Sequence, residues 1–183
     1  MAKLVIITGG LATLKTTISK QLSKDLNIVC LNKDDMKEVL VDTIGFTNRI
    51  ENKKLSIATV ALMTKLAMEY SQLQKDIILE ANFKPNELME LYTNTSLHEK
   101  DILTIDLVGD LDILFDRYIK RNPTRHRAHT SVDLMSKESF RESMLEHQIT
   151  TCKGTLKRFD TSFFKDDNYQ EVLSFVKDFL IIS

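Results

Sequence analysis

Two cysteines in 183 residues, Cys30 and Cys152, make no disulfide framework and fit a reducing compartment. Long apolar runs are missing too. Stretches such as Leu4 to Ile7 fall far short of the ~20 residues a membrane span needs, and short of a secretory h-region. Neither charge dominates: 25 Lys+Arg stand against 26 Asp+Glu, so the net charge of −1 gives no global signal for nucleic acid. Glycine and proline are scarce, at five and two, which leaves most of the chain to regular structure. What remains is 43% apolar and long enough to bury roughly 70% of its unfolded surface. The expectation is one cytoplasmic domain over residues 1–183, with no internal repeat and no low-complexity tract.

Short aliphatic runs alternate with longer helical patterns, the signature of βαβ units around a parallel sheet. Five runs read as strands: Lys3 to Thr8, Asn27 to Leu31, Asp76 to Ala81, Asp101 to Val108 and a weaker Arg158 to Thr161. Their unbroken hydrophobicity suits a sheet covered on both faces. Ile18, Leu22 and Leu26 place one apolar stripe on a helix starting near Lys15. Further helices are predicted after Asp34, over Asn48 to Leu73, from Pro85, over Leu111 to about Pro123, over Ser136 to about Thr155, and over Asn168 to Ile181. Thr124 to Asp133 reads as a polar loop.

Three features carry chemistry. The first strand runs into Gly9-Gly10-Leu11-Ala12-Thr13-Leu14-Lys15-Thr16-Thr17, which approximates G-x-x-x-x-G-K-[ST] with Leu14 in place of the second glycine. Free N–H groups at such a turn suit phosphate, Lys15 would reach the β and γ phosphates, and the Thr16 hydroxyl would sit on Mg²⁺. If position 14 needs φ > 0, the leucine costs ~1–2 kcal/mol. The second feature is acidic strand ends: Asp34-Asp35 after the second strand and Glu80 at the tip of the third. An aspartate there can take a hydroxyl proton or cap the following helix, and Glu80 stands where a Mg²⁺-holding carboxylate would be. The third is a run of Arg117, Lys120, Arg121, Arg125 and Arg127 without an acid, which reads as a lid over a nucleotide or as a solvated helix end. The four histidines show no zinc-ligand spacing and read as surface or loop residues. The methionines between Leu62 and Met68, with Met135 and Met144, read as core.

In this order the elements resemble the P-loop kinases of the nucleoside-monophosphate-kinase-like group, most closely the kinase domain of polynucleotide 5′-hydroxyl kinases. The resemblance covers about the first 145 residues. It implies a three-layer α/β fold with a five-stranded parallel sheet ordered 2-3-1-4-5, helices on both faces and a lid around 121–135. It also implies ATP and Mg²⁺, and Asp34 as general base. Acceptor contacts would come from Asp34, Asp35, Lys37 and Asn82, with Lys37 on an acceptor phosphate. Arg125, or next Arg121, would stabilise the transferring phosphoryl group, with Gly9 to Thr17 and Arg117 on the nucleotide. The implied activity is transfer of the γ-phosphate to a hydroxyl of a small molecule or a nucleic-acid 5′ end. Two other readings stay open: a non-catalytic ATP- or GTP-binding module, and a protein binding nucleic-acid ends through the cationic run.

Overall fold

The computed structural model describes residues 1–129 and 134–181. Strands β1 (Leu4–Gly9), β2 (Cys30–Asn32), β3 (Ile77–Glu80), β4 (Ile102–Val108) and β5 (Thr155–Asp160) form one parallel sheet, ordered β2-β3-β1-β4-β5. Among the described residues the helices are α1 (Lys15–Leu26), α2 (Lys33–Ile44), α3 (Arg49–Gln72), α4 (Pro85–Thr95), α5 (Leu111–Arg121), α6 (Lys137–Glu146) and α7 (Asp166–Ile181).

Alternation along β1 explains the layers. Leu4 and Ile6 point into a core with Met63 and Ala67 of α3 and Leu88, Leu91 and Tyr92 of α4. Val5 and Ile7 point the opposite way, against Ile18 and Leu22 of α1 and Val172, Leu173 and Val176 of α7. Successive residues of a strand face opposite sides, so a run apolar at every position belongs to a sheet with helices on both faces. A smaller cluster of Ala12, Leu114, Tyr118 and Phe140, with Met135 and Met144 packed on it, joins α5 and α6 to the loop after β1. Of the methionines expected in the core, Met63 is fully buried and Met135 and Met144 pack on this cluster, but Met68 belongs to no core cluster and Leu62 and Leu66 are exposed.

Parallel register brings the chemistry to one edge. Gly9 pairs with Leu107 of β4, Ile7 with Glu80 of β3, and Glu80 with Asn32 of β2. Ligand sites in open parallel sheets lie beyond these carboxyl ends.

Three boundaries differ from the sequence reading. The helix expected to reach about Thr155 ends at Glu146, and β5 starts at Thr155 rather than Arg158. Ile149-Thr150-Thr151 is β-branched throughout and disfavours a helix. Ile149 instead plugs the α3/α4 core, and Gly154, at φ 83, passes the Ile102 carbonyl so closely that a Cβ would overlap it. β2 begins only at Cys30, because Asn27 is the left-handed cap of α1, its N–H on the Ser23 carbonyl. Of the expected 124–133 loop, two 3₁₀ turns at Asn122–Thr124 and Arg127–His129 are seen, and 130–133 lie outside the described residues.

At the opposite edge, Lys3 Nζ meets Asp101 Oδ1 at 3.0 Å with both side chains at most 3% exposed. Removing one member of a buried pair takes away the opposite charge, and the Lys100 carbonyl at 3.4 Å and the Phe179 ring do not replace it. Asp101→Ala is expected to destabilise the fold by about 3–5 kcal/mol in urea unfolding.

Candidate active site

β1 ends at Gly9 with φ 135, where a Cβ would overlap the Leu107 carbonyl oxygen, so only glycine fits. The loop then turns through Ala12 and Leu14, both at φ 62. Position 14 therefore does need a left-handed residue, and Leu14 supplies it while packing against the α1/α7 core. α1 follows with no side-chain cap and no acid in its first turn, which leaves its N–H groups open to an anion. Lys15 Nζ donates to the Gly10 carbonyl at 2.6 Å, and Thr13 Oγ1 to the same oxygen at 3.0 Å. Burial lowers Lys15 to about 8, although Glu80 and Asp34 pull it up.

Glu80 is 4% exposed at the tip of β3. Its Oε2 accepts from Thr16 Oγ1 at 3.2 Å and from Asn32 Nδ2. Burial raises its carboxyl to about 7, with Lys15 opposing. A hydroxyl and a carboxylate side by side are the hard oxygen donors Mg²⁺ takes while keeping waters and phosphate oxygens, so the pair fits that ion.

Asp34 lies in the first turn of α2, its carboxylate about half exposed. Arg125 Nη2 stands 3.5 Å from one oxygen and His129 Nδ1 3.7 Å from the other. His129 Nε2 reaches Glu38 at 2.9 Å. The helix cap is neither aspartate but Asn32, whose Oδ1 accepts from the Asp35 N–H at 3.0 Å. A capping side chain sits just before the first helical residue, and Asp34 and Asp35 are already inside the helix. Asp35 pairs with Lys20 at 2.7 Å, at the rim.

The cleft between these elements has a volume of about 890 Å³. Of the sequence-predicted residues, Leu11 to Thr17, Asp34, Lys37, Glu80, Asn82, Arg117, Arg121 and Arg125 line it. Gly9, Gly10 and Asp35 do not; the glycines shape the loop from behind. Lys37 is buried and donates to the Ala128 carbonyl at 2.8 Å. Arg117 Nη2 donates to the Ser162 carbonyl at 2.6 Å. Arg117 Nη1 and Arg121 Nε are buried donors without an acceptor among the described residues. A buried donor of this kind calls for an acceptor. Arg127 turns away, onto the Val41 carbonyl at 3.1 Å.

Sequence reasoning missed the two histidines. His129 flanks Asp34, and His147 is buried beside Asn82. A carbonyl only accepts, so His147 Nδ1–H donates to Ser143 O at 2.7 Å and the neutral ring offers Nε2 to the Asn82 amide at 3.2 Å. Burial lowers the pKa of both rings. Sequence reasoning gave no individual role to Asn32, Lys33 or the polar face of α3, Arg49, Asn52, Lys53 and Ser56, whose i, i+3, i+4, i+7 spacing was the available signal.

No protein-family model matches the chain, and no curated protein does. Among solved structures it is similar to a provisionally named kinase from Chloroflexus aurantiacus, at 25% identity and TM-score 0.80 over 98% of this chain and 96% of that one. It is similar to a gluconokinase from Sinorhizobium meliloti, at 9% identity and TM-score 0.66 over 96% and 92%. It is also similar to the APS kinase of Mycobacterium tuberculosis solved with AMPPNP and APS, at 15% identity and TM-score 0.61 over 96% and 98%. The fold is the three-layer α/β fold of P-loop kinases.

The raised Glu80 carboxyl has a signature in stability. Between about 4.5, its ordinary value, and about 7, the unfolded chain has lost this proton and the folded chain keeps it, so stability falls as pH rises. Glu80→Gln lacks this component. In urea unfolding of the ligand-free protein, the variant should gain on the parent across that window and level off above it.

Proposed function

We propose that the chain is an ATP-dependent phosphotransferase with a hydroxyl acceptor. One observation carries the reading: Lys15, the Thr16–Glu80 pair, Asp34 and the arginines of α5 and its following turn face one cleft. The uncapped start of α1 and the open loop would hold the β and γ phosphates. Mg²⁺ on Thr16 Oγ1 and Glu80 would supply charge neutralisation on the triphosphate. Asp34 would accept the acceptor's proton as its oxygen bonds to the γ-phosphorus and the bond to the β–γ bridging oxygen breaks, releasing ADP. Lys15, Arg121 and Arg125 would oppose the charge developing on the transferring group, and Arg125 would help to keep the Asp34 side chain at the cleft wall. The catalytic contribution would be placement and fixed charge.

The neighbours named as gluconokinase and APS kinase support a kinase reading. The finer kinship, to polynucleotide 5′-hydroxyl kinases, rests on the order of the motifs around Gly9, Asp34, Glu80 and Arg125.

The rival reading, a nucleotide-binding module without turnover, would rest on Leu14. Leu14 already holds the left-handed conformation a glycine would adopt, so its presence removes no catalytic group. Asp34→Asn should keep Mg·ATP affinity and lower kcat by about 10²–10⁴-fold, measured by transfer of labelled γ-phosphate to an alcohol panel. Unchanged turnover would take Asp34 out of the mechanism. Leu14→Gly should shift nucleotide affinity by less than about tenfold and leave turnover near the parent's. Turnover appearing only in Leu14→Gly would establish the module instead.

A further inference from the structure

We propose that the acceptor is itself an anion: a hydroxyl compound carrying a separate phosphate, sulfate or carboxylate group, which Arg49 and Lys53 of α3 bind together with Lys33. This deepens the phosphotransferase reading and rests on it for the acceptor's role, but not for the binding of the anion.

The first ground is a charge imbalance that one nucleotide does not absorb. Among the described residues the cleft is lined by ten lysines and arginines against two carboxylates, Asp34 and Glu80. The cations divide by strand order. Lys15 follows β1, and Arg117, Lys120, Arg121 and Arg125 follow β4; these flank the phosphate loop. Lys33, Lys37, Arg49, Lys53 and Lys84 come from the β2/β3 side, beyond the general-base candidate Asp34. That side is where the second substrate would enter.

The second ground is that four of the five form no ion pair with a described residue, and three of those four have no firm hydrogen bond either. Lys37 is committed to the Ala128 carbonyl and Lys84 to Glu146 at 2.8 Å. Lys33 has only the Asn82 amide oxygen, at 3.5 Å, and Arg49 and Lys53 make no ion pair among the described residues.

The third ground is local. Arg49 and Lys53 stand four apart at the start of α3, on the face that also carries Asn52 and Ser56. Like charges at this spacing repel, and cations at a helix N-terminus oppose its dipole. The same turn obeys the rules elsewhere: Asn48 caps it through the Glu51 N–H at 3.0 Å, and Glu51 supplies the acid. Arg49 and Lys53 are the cations that this end of the helix turns to the cleft, where a bound anion would reverse their sign of contribution. A guanidinium fork with an ammonium and a hydroxyl alongside matches the oxygens of a phosphate or carboxylate.

The test separates binding from transfer. Acceptor pairs that differ by the anionic group are titrated calorimetrically into the protein loaded with Mg·AMPPNP: glycerol 3-phosphate with glycerol, ribose 5-phosphate with ribose, glycerate with glycerol. A short 5′-hydroxyl oligonucleotide forms a separate arm that distinguishes a polymer phosphate from a small ester. At least one anionic member is expected to bind about tenfold or more tightly than its neutral twin. Arg49→Glu with Lys53→Glu should erase that preference, Arg49→Gln with Lys53→Gln should weaken it, and the melting temperature should stay near the parent's because both side chains are exposed. Absence of binding by every anion, equal binding within each pair, or a preference surviving in the charge-reversed variant overturns the subsite. Parallel assays with labelled ATP keep the two readings apart. Anion binding without transfer upholds the subsite and counts against the phosphotransferase, and transfer to neutral alcohols untouched by the reversal does the opposite.

Discussion

Glu80 ends the strand that lies between β2 and β1, and it accepts a hydrogen bond from the turn after each. Thr16 reaches it from the first turn of α1 and Asn32 from the start of α2. A buried carboxylate is tolerable only when its oxygens are so satisfied. The sharing fixes the phosphate loop and the acidic turn against each other across β3. Asn32 is the pivot, because its amide works at both ends: Nδ2 donates to Glu80 while Oδ1 caps α2. Since the cap is Asn32, the carboxylate of Asp34 is not spent on a backbone N–H and stays with Arg125 and His129 at the cleft wall.

The arginine-bearing turn after α5 is tied to the opposite wall with comparable economy. The Ala128 carbonyl accepts from both Lys37 and Asn52, two buried side chains on different helices. Arg127 and His126 extend the attachment to Val41 and Asp42. The segment therefore bridges α5 to α2 and α3, and the bridge sets where Arg125 stands relative to Asp34. A lysine that motif order alone would place on the acceptor serves here, in part, to position the turn.

Much of the fold was legible because strand hydrophobicity and glycine geometry are local. Leu4 to Ile7 reads as a doubly covered strand without any partner in view, and Gly9 to Thr17 announces a phosphate loop through spacing. Asp34 and Glu80 were legible as candidates from their place at strand ends and Arg125 from its run of cations, but their separate roles only from their order along the chain. What stayed hidden depends on tertiary contacts. Nothing local marks His147 as buried, with Ser143 and Asn82 completing its hydrogen bonds. The early end of α6 follows from Ile149 plugging a core built by α3 and α4, and from Gly154 crossing β4 at close range. The α3 face had a readable period, but a polar stripe on a long helix ordinarily means solvent, and only the cleft gives it another meaning.

Leu14 shows how a motif can be broken in letter and kept in geometry. A leucine at φ 62 costs ~1–2 kcal/mol relative to the right-handed region. A glycine avoids that strain but brings greater freedom to the unfolded chain, a difference of ~0.5–1 kcal/mol against it. The leucine side chain is also partly buried with Val5, Ile7 and Ile18, and burying part of such a side chain contributes on the order of 1 kcal/mol. These opposing contributions are of similar size, so the position can exchange residues at little net cost in stability. Phosphate recognition at a loop of this kind depends on where the backbone N–H groups point, and φ controls that direction. Ala12, at the same φ two residues earlier, makes the same point: the turn is set by the Gly9 crossing and by the Thr13 and Lys15 bonds to the Gly10 carbonyl.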